Sequence, residues 1–498
     1  MSLRLLIFLT IITFNMGCTQ VNPLLKEFDT LHQTAPFSEI KDEHHLPALI
    51  EAIKKGEAEI RAITKNIEKP SFENTIVALE KSGRLISRTA GIFFNLLSAE
   101  TNDELQKIAQ EVSPILTKYQ NDITLNPILF ERIKSVYQQK DQLKLTAEQY
   151  TLLENTYLGF VRQGAGLSEA DKVRFREIST ELSKLTLQFN NNVLKETNNY
   201  ELHITDKGKV TGLPEGSLEA ASAKAKEKNK EGWIFDITMP GYIPFMKYAD
   251  NRDLRKELYM AYSSKSFKGN EYDNRENVRK IINLRLEMAN LLGYSDYASY
   301  ILERRMAANS EGVYKLLDDL YTASYNVALK EKDEIEKFAQ KSGFKDEIMP
   351  WDWNYYGEKL KIEKYDLDDE VLKPYFELNK VVGGVFGLAT DLFGITFKVN
   401  RDIEVYHPEV TPYEVYDQDE KFLAVLYTDF HPRPGKQGGA WMNDFKGQWK
   451  DEGIDSRPHV TIVMNFTKPT ETKPALLTFS EVETFMHEFG HALHGMLA

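Results

Sequence analysis

The chain has 498 residues, of which 42% are hydrophobic and 11% aromatic, ample for large cores and too apolar for a disordered chain. Its 75 acidic and 62 basic residues leave a formal net charge of -13, which argues against nucleic acid as a partner, because nucleic-acid binders present basic faces. Peptides remain compatible with this balance, and surplus acid also serves solubility.

At the N-terminus Arg4 precedes an apolar run from Leu5 to Phe14, broken by two threonines. It is too short to span a bilayer and has the length of a secretory h-region, so residues 1–18 read as an export signal. The only cysteine, Cys18, follows Gly17 just after the run. This resembles a bacterial lipoprotein cleavage site, where the cysteine is lipidated, although Asn15 and Met16 depart from the usual Leu and small residue. The expected protein is exported, faces the periplasm, and touches the membrane only through that lipid on Cys18. With a single cysteine an intrachain disulfide is impossible.

Residues 19–240 are expected to form an N-terminal helical domain. From about Glu39 to Asn199 the sequence reads as successive amphipathic helices, among them Asn74 to Leu97 and, after the Ser168 cap candidate, Glu169 to Val193. His44 and His45 lack companions at ligand spacing and are expected to be structural. At Tyr200 the pattern changes to ELHIT, a Gly/Pro turn, a Lys/Ala/Glu helix and the strand-like WIFDIT ending in MPGY. A second domain, 241–498, is expected to follow. Helices resume at Asp253 to Ser263, Tyr272 to Leu292 and Ser310 to Ser342. Trp351, Trp353, Tyr355 and Tyr356 are expected to pack rather than to bind.

Strand-like segments gather late, at Ile403 to Tyr406, Tyr413 to Tyr416, Phe422 to Asp429, Gly439 to Met442 and His459 to Asn465. They predict a small mixed sheet in an otherwise mainly α-helical chain. The segment SEVETFMHEFGHALHGMLA follows, from Ser480 to Ala498. Ser480 and Glu483 have the spacing of a capping box. Val482, Phe485, Met486, Phe489, Leu493 and Met496 fall on one side, while Glu483, Thr484, His487, His491 and His494 fall on the other. Within HEFGH, His487 and His491 are one turn apart, about 6 Å along the axis and on one face, so both rings reach one cation. Glu488 sits beside them, placed to take a proton from water activated at a metal without ligating it. His494 lies about 10.5 Å along the axis from His487, too far for both rings to bind one ion undistorted. The metzincin pattern also fails, since it requires Gly and His where this chain has His494 and Leu497. One zinc ion in a His2Glu site is the remaining default, with the Glu supplied from elsewhere.

Longer segments carry a specific resemblance: EHHLPALIEAI from Glu43, SFENTIVALEKSG from Ser71, MPWDWNYYGEKL from Met349, KYDLDDEVLKPYFELNKV from Lys364, GKQGGAWM from Gly435, NFTKPT from Asn465, and HEFGHALHG. Together they resemble the M3 family of zinc oligopeptidases, of peptidyl-dipeptidase and thimet oligopeptidase type, over almost the whole chain past the signal. The resemblance implies a zincin catalytic domain of the gluzincin type, with His487 and His491 as zinc ligands and Glu488 as general base. It further implies a third ligand, a Glu on the following helix, and substrate-gripping Tyr and His residues later still, which puts them past Ala498. Oligopeptide substrates, a deep channel between two largely helical halves and release of C-terminal dipeptides are implied as well. In zinc peptidases of this architecture a peptide lies antiparallel to an edge strand. Gly438, Gly439 and Ala440 would permit close backbone approach and are the candidate substrate-binding residues, with a bulge or tight turn as the competing account. A monomer is expected.

Leu493, Met496 and Leu497 are still apolar, Gly495 is the one candidate break, with apolar residues continuing past it, and no clear Asn or Pro stop precedes the last residue. The chain is therefore expected to be a catalytic domain incomplete after the HEFGH helix. The alternative is a lipid-anchored peptide-binding protein without catalysis.

Overall fold

The computed structural model describes residues 21–451 and 453–497. Cys18 and the expected signal segment 1–18 lie outside the described residues. Helices dominate. The N-terminal array comprises Asp42–Lys65, Arg84–Ala99, Asp103–Thr124, Pro127–Tyr137, Ala147–Arg162 and Glu169–Asn199. Side-chain caps set several of the starts: the Asn102 carbonyl accepts from the Leu105 amide at 2.9 Å, and Ser168 accepts from the Asp171 amide at 3.2 Å.

The helix expected from Asn74 to Leu97 is interrupted. A π-helical turn, Phe72–Val77, runs into the short helix Ala78–Lys81, and a new helix starts at Arg84. Gly83 between them has φ +73°, the left-handed region that glycine enters without a Cβ clash, and its amide donates to Glu59 Oε2 at 2.7 Å.

Strands β1 (Leu202–Ile204) and β2 (Trp233–Phe235) form an antiparallel pair. MPGY does not end a strand but opens the helix Met239–Tyr248, with Pro240 in the first turn, where its missing amide is harmless. Trp351, Tyr355 and Tyr356 are buried, packed around the Arg255–Asp352 ion pair of 2.9 Å. The Arg255 guanidinium lies 4.0 Å from the Tyr355 ring centroid. His45 is buried against Phe93, and His44 Nδ1 accepts from the Lys41 amide at 3.1 Å, capping its own helix.

The main sheet is mixed and has five strands. These are β3 (Thr396–Val399), β4 (Thr411–Tyr416), β5 (Phe422–Asp429), β6 (Trp441–Lys446) and β9 (His459–Val463), in the order β3-β4-β5-β9-β6. β5 and β9 are parallel and the other pairs antiparallel. A small hairpin, β7 (Trp449–Asp451) and β8 (Ile454–Ser456), intervenes. Two expectations shift. Ile403 to Tyr406 is not a strand; Ile403 is buried as a core side chain without ladder pairing, and Thr396–Val399 takes the edge. The strand expected at Gly439 to Met442 begins at Trp441 instead, leaving the glycines in a loop.

Both faces of the sheet are covered. Alternation along β5 sends Ala424 and Leu426 to one side, with helices Leu378–Phe393 and Phe479–Leu497, and Val425 and Tyr427 to the other, with the N-terminal helices. Phe93 and Leu97 of Arg84–Ala99 share that second core with Phe445 of β6. The long helix Ser310–Lys341 differs from these: Leu316, Leu317, Leu320 and Tyr321 are all more than half exposed. Among the described residues no helix is long and apolar enough to cross a membrane.

Candidate active site

The HEFGH helix, Phe479–Leu497, starts at a different cap from the expected one. Thr478 and Glu481 form the box: the Thr478 amide donates to Glu481 Oε2 at 2.7 Å, and the Glu481 amide donates to Thr478 Oγ1 at 3.2 Å. Glu481 Oε1 also accepts from the Thr467 amide at 2.7 Å and its hydroxyl at 3.1 Å, tying the loop after β9 to the helix start. Ser480 lies inside the first turn. The overlapping TFSE pattern was the available signal, displaced two residues from SEVE.

Phe485, Phe489, Ala492 and Met496 form the buried seam. Phe485 meets Phe430 edge-on at 5.3 Å, and Phe489 lies 5.5 Å from Phe386. Met486, expected on this side, is 40% exposed, because it falls at the seam's margin. Gly495 is not a break: the helix continues through it, and a Cβ there would stand 2.7 Å from Met442 Cε and 3.3 Å from Val460 Cγ2. Its missing side chain lets the helix lie close on β6 and β9.

On the opposite side His487 and His491 are exposed, and their Nε2 atoms face each other at 3.2 Å with ring planes 79° apart. Two Zn–N bonds of about 2.0–2.1 Å at the tetrahedral angle put their nitrogens about 3.3–3.4 Å apart, so the pair fits one zinc. Glu488, between them in sequence, is only 8% exposed, and among the described residues no donor meets its carboxylate. A covered yet unpaired carboxylate is available as a proton acceptor. His494 is exposed on the next turn. Among the described residues no group of three His, Cys, Asp or Glu side chains could hold a metal, so His487 and His491 stand as a pair.

Gly438, Gly439 and Ala440 form the loop entering β6, which is an edge strand of the sheet. Gly439 has φ +103°, and a Cβ on Gly438 or Gly439 would meet nothing within 4 Å. Gly439 is therefore required by backbone shape, and both glycines face open space. Asn465 Nδ2 donates to the Gln437 carbonyl at 2.9 Å and the Gly439 carbonyl at 2.7 Å, fixing the loop from within NFTKPT.

A buried charge cluster that sequence reading missed anchors the base of this loop. Asp429, at the end of β5, is fully buried and accepts from Arg433 at 2.9 and 2.7 Å, Lys436 Nζ at 2.8 Å and the Tyr406 hydroxyl at 2.8 Å. Burial works to raise the Asp429 pKa, but the Arg433 hydrogen bonds and the Lys436 charge bring it below the usual value. Burial pulls Lys436 down to about 8 against the opposing pull of Asp429. Arg433 also binds Glu100, and donates to the Ala99 carbonyl at 2.6 Å. The loop thus hangs between the sheet and helix Arg84–Ala99.

Residues 245–498 match the sequence profile of peptidase family M3. The chain belongs to this family. It is 37% identical over 483 residues to the dipeptidyl carboxypeptidase of Escherichia coli strain K12, covering 96% of this chain and 70% of that one. It is 35% identical to oligopeptidase A of Salmonella typhimurium strain LT2, over 96% of this chain and 70% of the relative. A solved structure described as PZ peptidase A with inhibitor 2 aligns over 92% of this chain and 64% of the other, at 17% identity and a TM-score of 0.47. As an M3 member the chain is a metallopeptidase, and the HEFGH helix falls within the matched region.

Proposed function

We propose that the chain forms the zincin-type site of an oligopeptidase that hydrolyses peptides and releases dipeptides from their C-terminal ends. The observation that carries this reading is the 3.2 Å approach of the His487 and His491 Nε2 atoms beside the covered, unpaired Glu488. His487 and His491 would hold zinc, and a carboxylate of the His2Glu type would complete the ligand set. When bound, zinc supplies Lewis acidity toward water and a peptide carbonyl.

The remaining chemistry belongs to the chain. Glu488 accepts a proton from the attacking water and delivers it to the departing amine nitrogen, so hydrolysis proceeds without a covalent enzyme intermediate. The β6 edge offers main-chain donors and acceptors to an extended peptide without reading its sequence, and Gly438, Gly439 and Ala440 line the approach. The dipeptidyl preference is supported by the 37% identity to a dipeptidyl carboxypeptidase. Export through residues 1–18 and lipidation of Cys18 form part of the proposal, supported by the Leu5 to Phe14 run before Cys18.

The test is hydrolysis of a blocked hexapeptide with and without chelator, the products being identified by mass spectrometry. Chelator-sensitive loss of successive C-terminal dipeptides is expected. Turnover indifferent to chelator would overturn the metal reading, and internal cleavage alone would overturn the dipeptidyl one.

A further inference from the structure

The ladder that joins β6 to β9 stops at Trp441 opposite Val463. Beyond that point β9 stays with the strand on its other side: the Met464 amide donates to the Asp429 carbonyl and the Phe466 amide to the Phe430 carbonyl, both at 2.7 Å. The loop entering β6 therefore has no strand to pair with, and the Asn465 side chain stands in for one. Its Nδ2 donates to the Gln437 carbonyl at 2.9 Å and to the Gly439 carbonyl at 2.7 Å. A primary amide carries two N–H donors on one nitrogen, so a single side chain serves both carbonyls. Gly438 and Ala440 alternate with these two residues, and among the described residues their main chain makes no hydrogen bond. Their donors and acceptors prolong the free edge of β6.

Residues 465–467 also reach the helix that bears the histidines. Phe466 is 3% exposed and shares one core with Phe485 and Phe489. Next to it the Thr467 amide and hydroxyl donate to Glu481 Oε1 at 2.7 and 3.1 Å. The free edge and the HEFGH helix are thus joined through Asn465, Phe466 and Thr467, and their spacing is set there. The two ends of the loop are held by different means. Its base is held by charge, through Lys436 on Asp429, and its tip by a neutral amide. A carboxylate in place of that amide would turn lone pairs toward two carbonyl oxygens, and an aliphatic side chain would offer them no donor.

We propose that Asn465 is a positioning residue for peptide binding. Its side-chain amide holds the Gln437 and Gly439 carbonyls inward, so that the main chain of Gly438 and Ala440 is presented to an extended peptide, and the connection through Thr467 to Glu481 sets how far that peptide lies from the HEFGH helix. The proposal rests on the peptide reading above and names the residue that shapes the edge.

The test is binding without turnover, on the full chain in chelator, by fluorescence anisotropy of an N-terminally labelled alanine pentapeptide amide. It is compared with the same peptide N-methylated at two adjacent residues, one of which must face the edge in either register. The unmethylated peptide should bind the unaltered chain about tenfold more tightly. Asn465→Leu should abolish that preference by weakening the unmethylated peptide alone, and Asn465→Gln, which keeps the donors on a longer stem, should retain part of it. Hydrogen exchange read by mass spectrometry on the free chain gives a second measurement: Asn465→Leu should speed exchange at residues 437–442 about fivefold or more and leave the HEFGH helix unchanged. An Asn465→Leu chain that keeps the preference would overturn the proposal, because the loop would then hold its shape without the amide. An equal loss of both peptides would overturn it too, leaving Asn465 a role in folding alone. Equal binding of the two peptides by the unaltered chain would overturn the edge reading and this proposal with it, and unchanged exchange at residues 437–442 would overturn the proposal by itself. Because no metal is present, failure of the peptidase reading would appear in turnover and not in this comparison.

Discussion

The Nε2 atoms of His487 and His491 face each other across 3.2 Å on the exposed side of a helix whose other side is sealed by Phe485, Phe489, Ala492 and Met496. Burial of that seam holds the rings where one cation could bridge them, so the proposed metal site and the core would have one origin in the 3.6-residue repeat.

The roles of ligand and base separate by mutation. In the metal-loaded protein Glu488→Gln should lower turnover about 10²–10⁴-fold while zinc stays bound. His487→Ala should lose the metal itself. Zinc content by atomic absorption, read beside peptide hydrolysis, distinguishes the two. A Glu488→Gln protein working at near the unaltered rate would remove Glu488 from the mechanism.

The loop that carries Gly438, Gly439 and Ala440 should depend on Asp429 far more than on Lys436. Asp429→Ala leaves Arg433 and Lys436 without their shared carboxylate, a loss of about 3–5 kcal/mol for an uncompensated buried charge. Lys436→Met removes one buried charge of similar length and leaves Asp429 with Arg433 and Tyr406, so it should change stability by much less. Urea unfolding of the two variants checks the order; a Lys436→Met loss equal to that of Asp429→Ala would refute it.

How much could be read beforehand depended on whether local pattern or distant contact decides the structure. The HEFGH helix was legible because nineteen residues of consistent period leave little choice. Its start was misplaced by two residues because TFSEVE contains two equivalent capping patterns, and the choice between them is made by Thr467, which docks on Glu481. Ile403 looked like a strand residue because burial and β-pairing select the same side chains. Asp429, Arg433 and Lys436 follow no spacing that pairs them in the sequence, and only the folded path of HPRPGK brings them to one point.

Residues 1–18 carry a separate prediction. If Cys18 is lipidated after export, Cys18→Ala should abolish incorporation of labelled acyl chains and release the protein from the membrane fraction. Label persisting in the variant, or an unaltered protein that never partitions with membranes, would remove the anchor from the proposal.

His459 provides a test of stability against pH. It begins β9, is 2% exposed, and its Nε2 has no partner. Burial first, and then the positive charge of Lys446, push its pKa down to about 3. The unfolded chain binds this proton near pH 6.5, so between about pH 6.5 and 3 the unfolded state holds more protons, and stability falls as pH decreases through that window. His45, lowered to about 4 chiefly by burial against the opposing charge of Asp42, acts in the same direction. At pH 4.5, two units below the unfolded value, each should remove about 2–3 kcal/mol relative to pH 7. His459→Gln keeps a polar side chain that cannot titrate. Its stability should therefore drop less between pH 7 and 4.5 than that of the unaltered chain, by about 2–3 kcal/mol in urea unfolding. Equal drops would mean that His459 charges in place, with water reaching it where the sheet here excludes it.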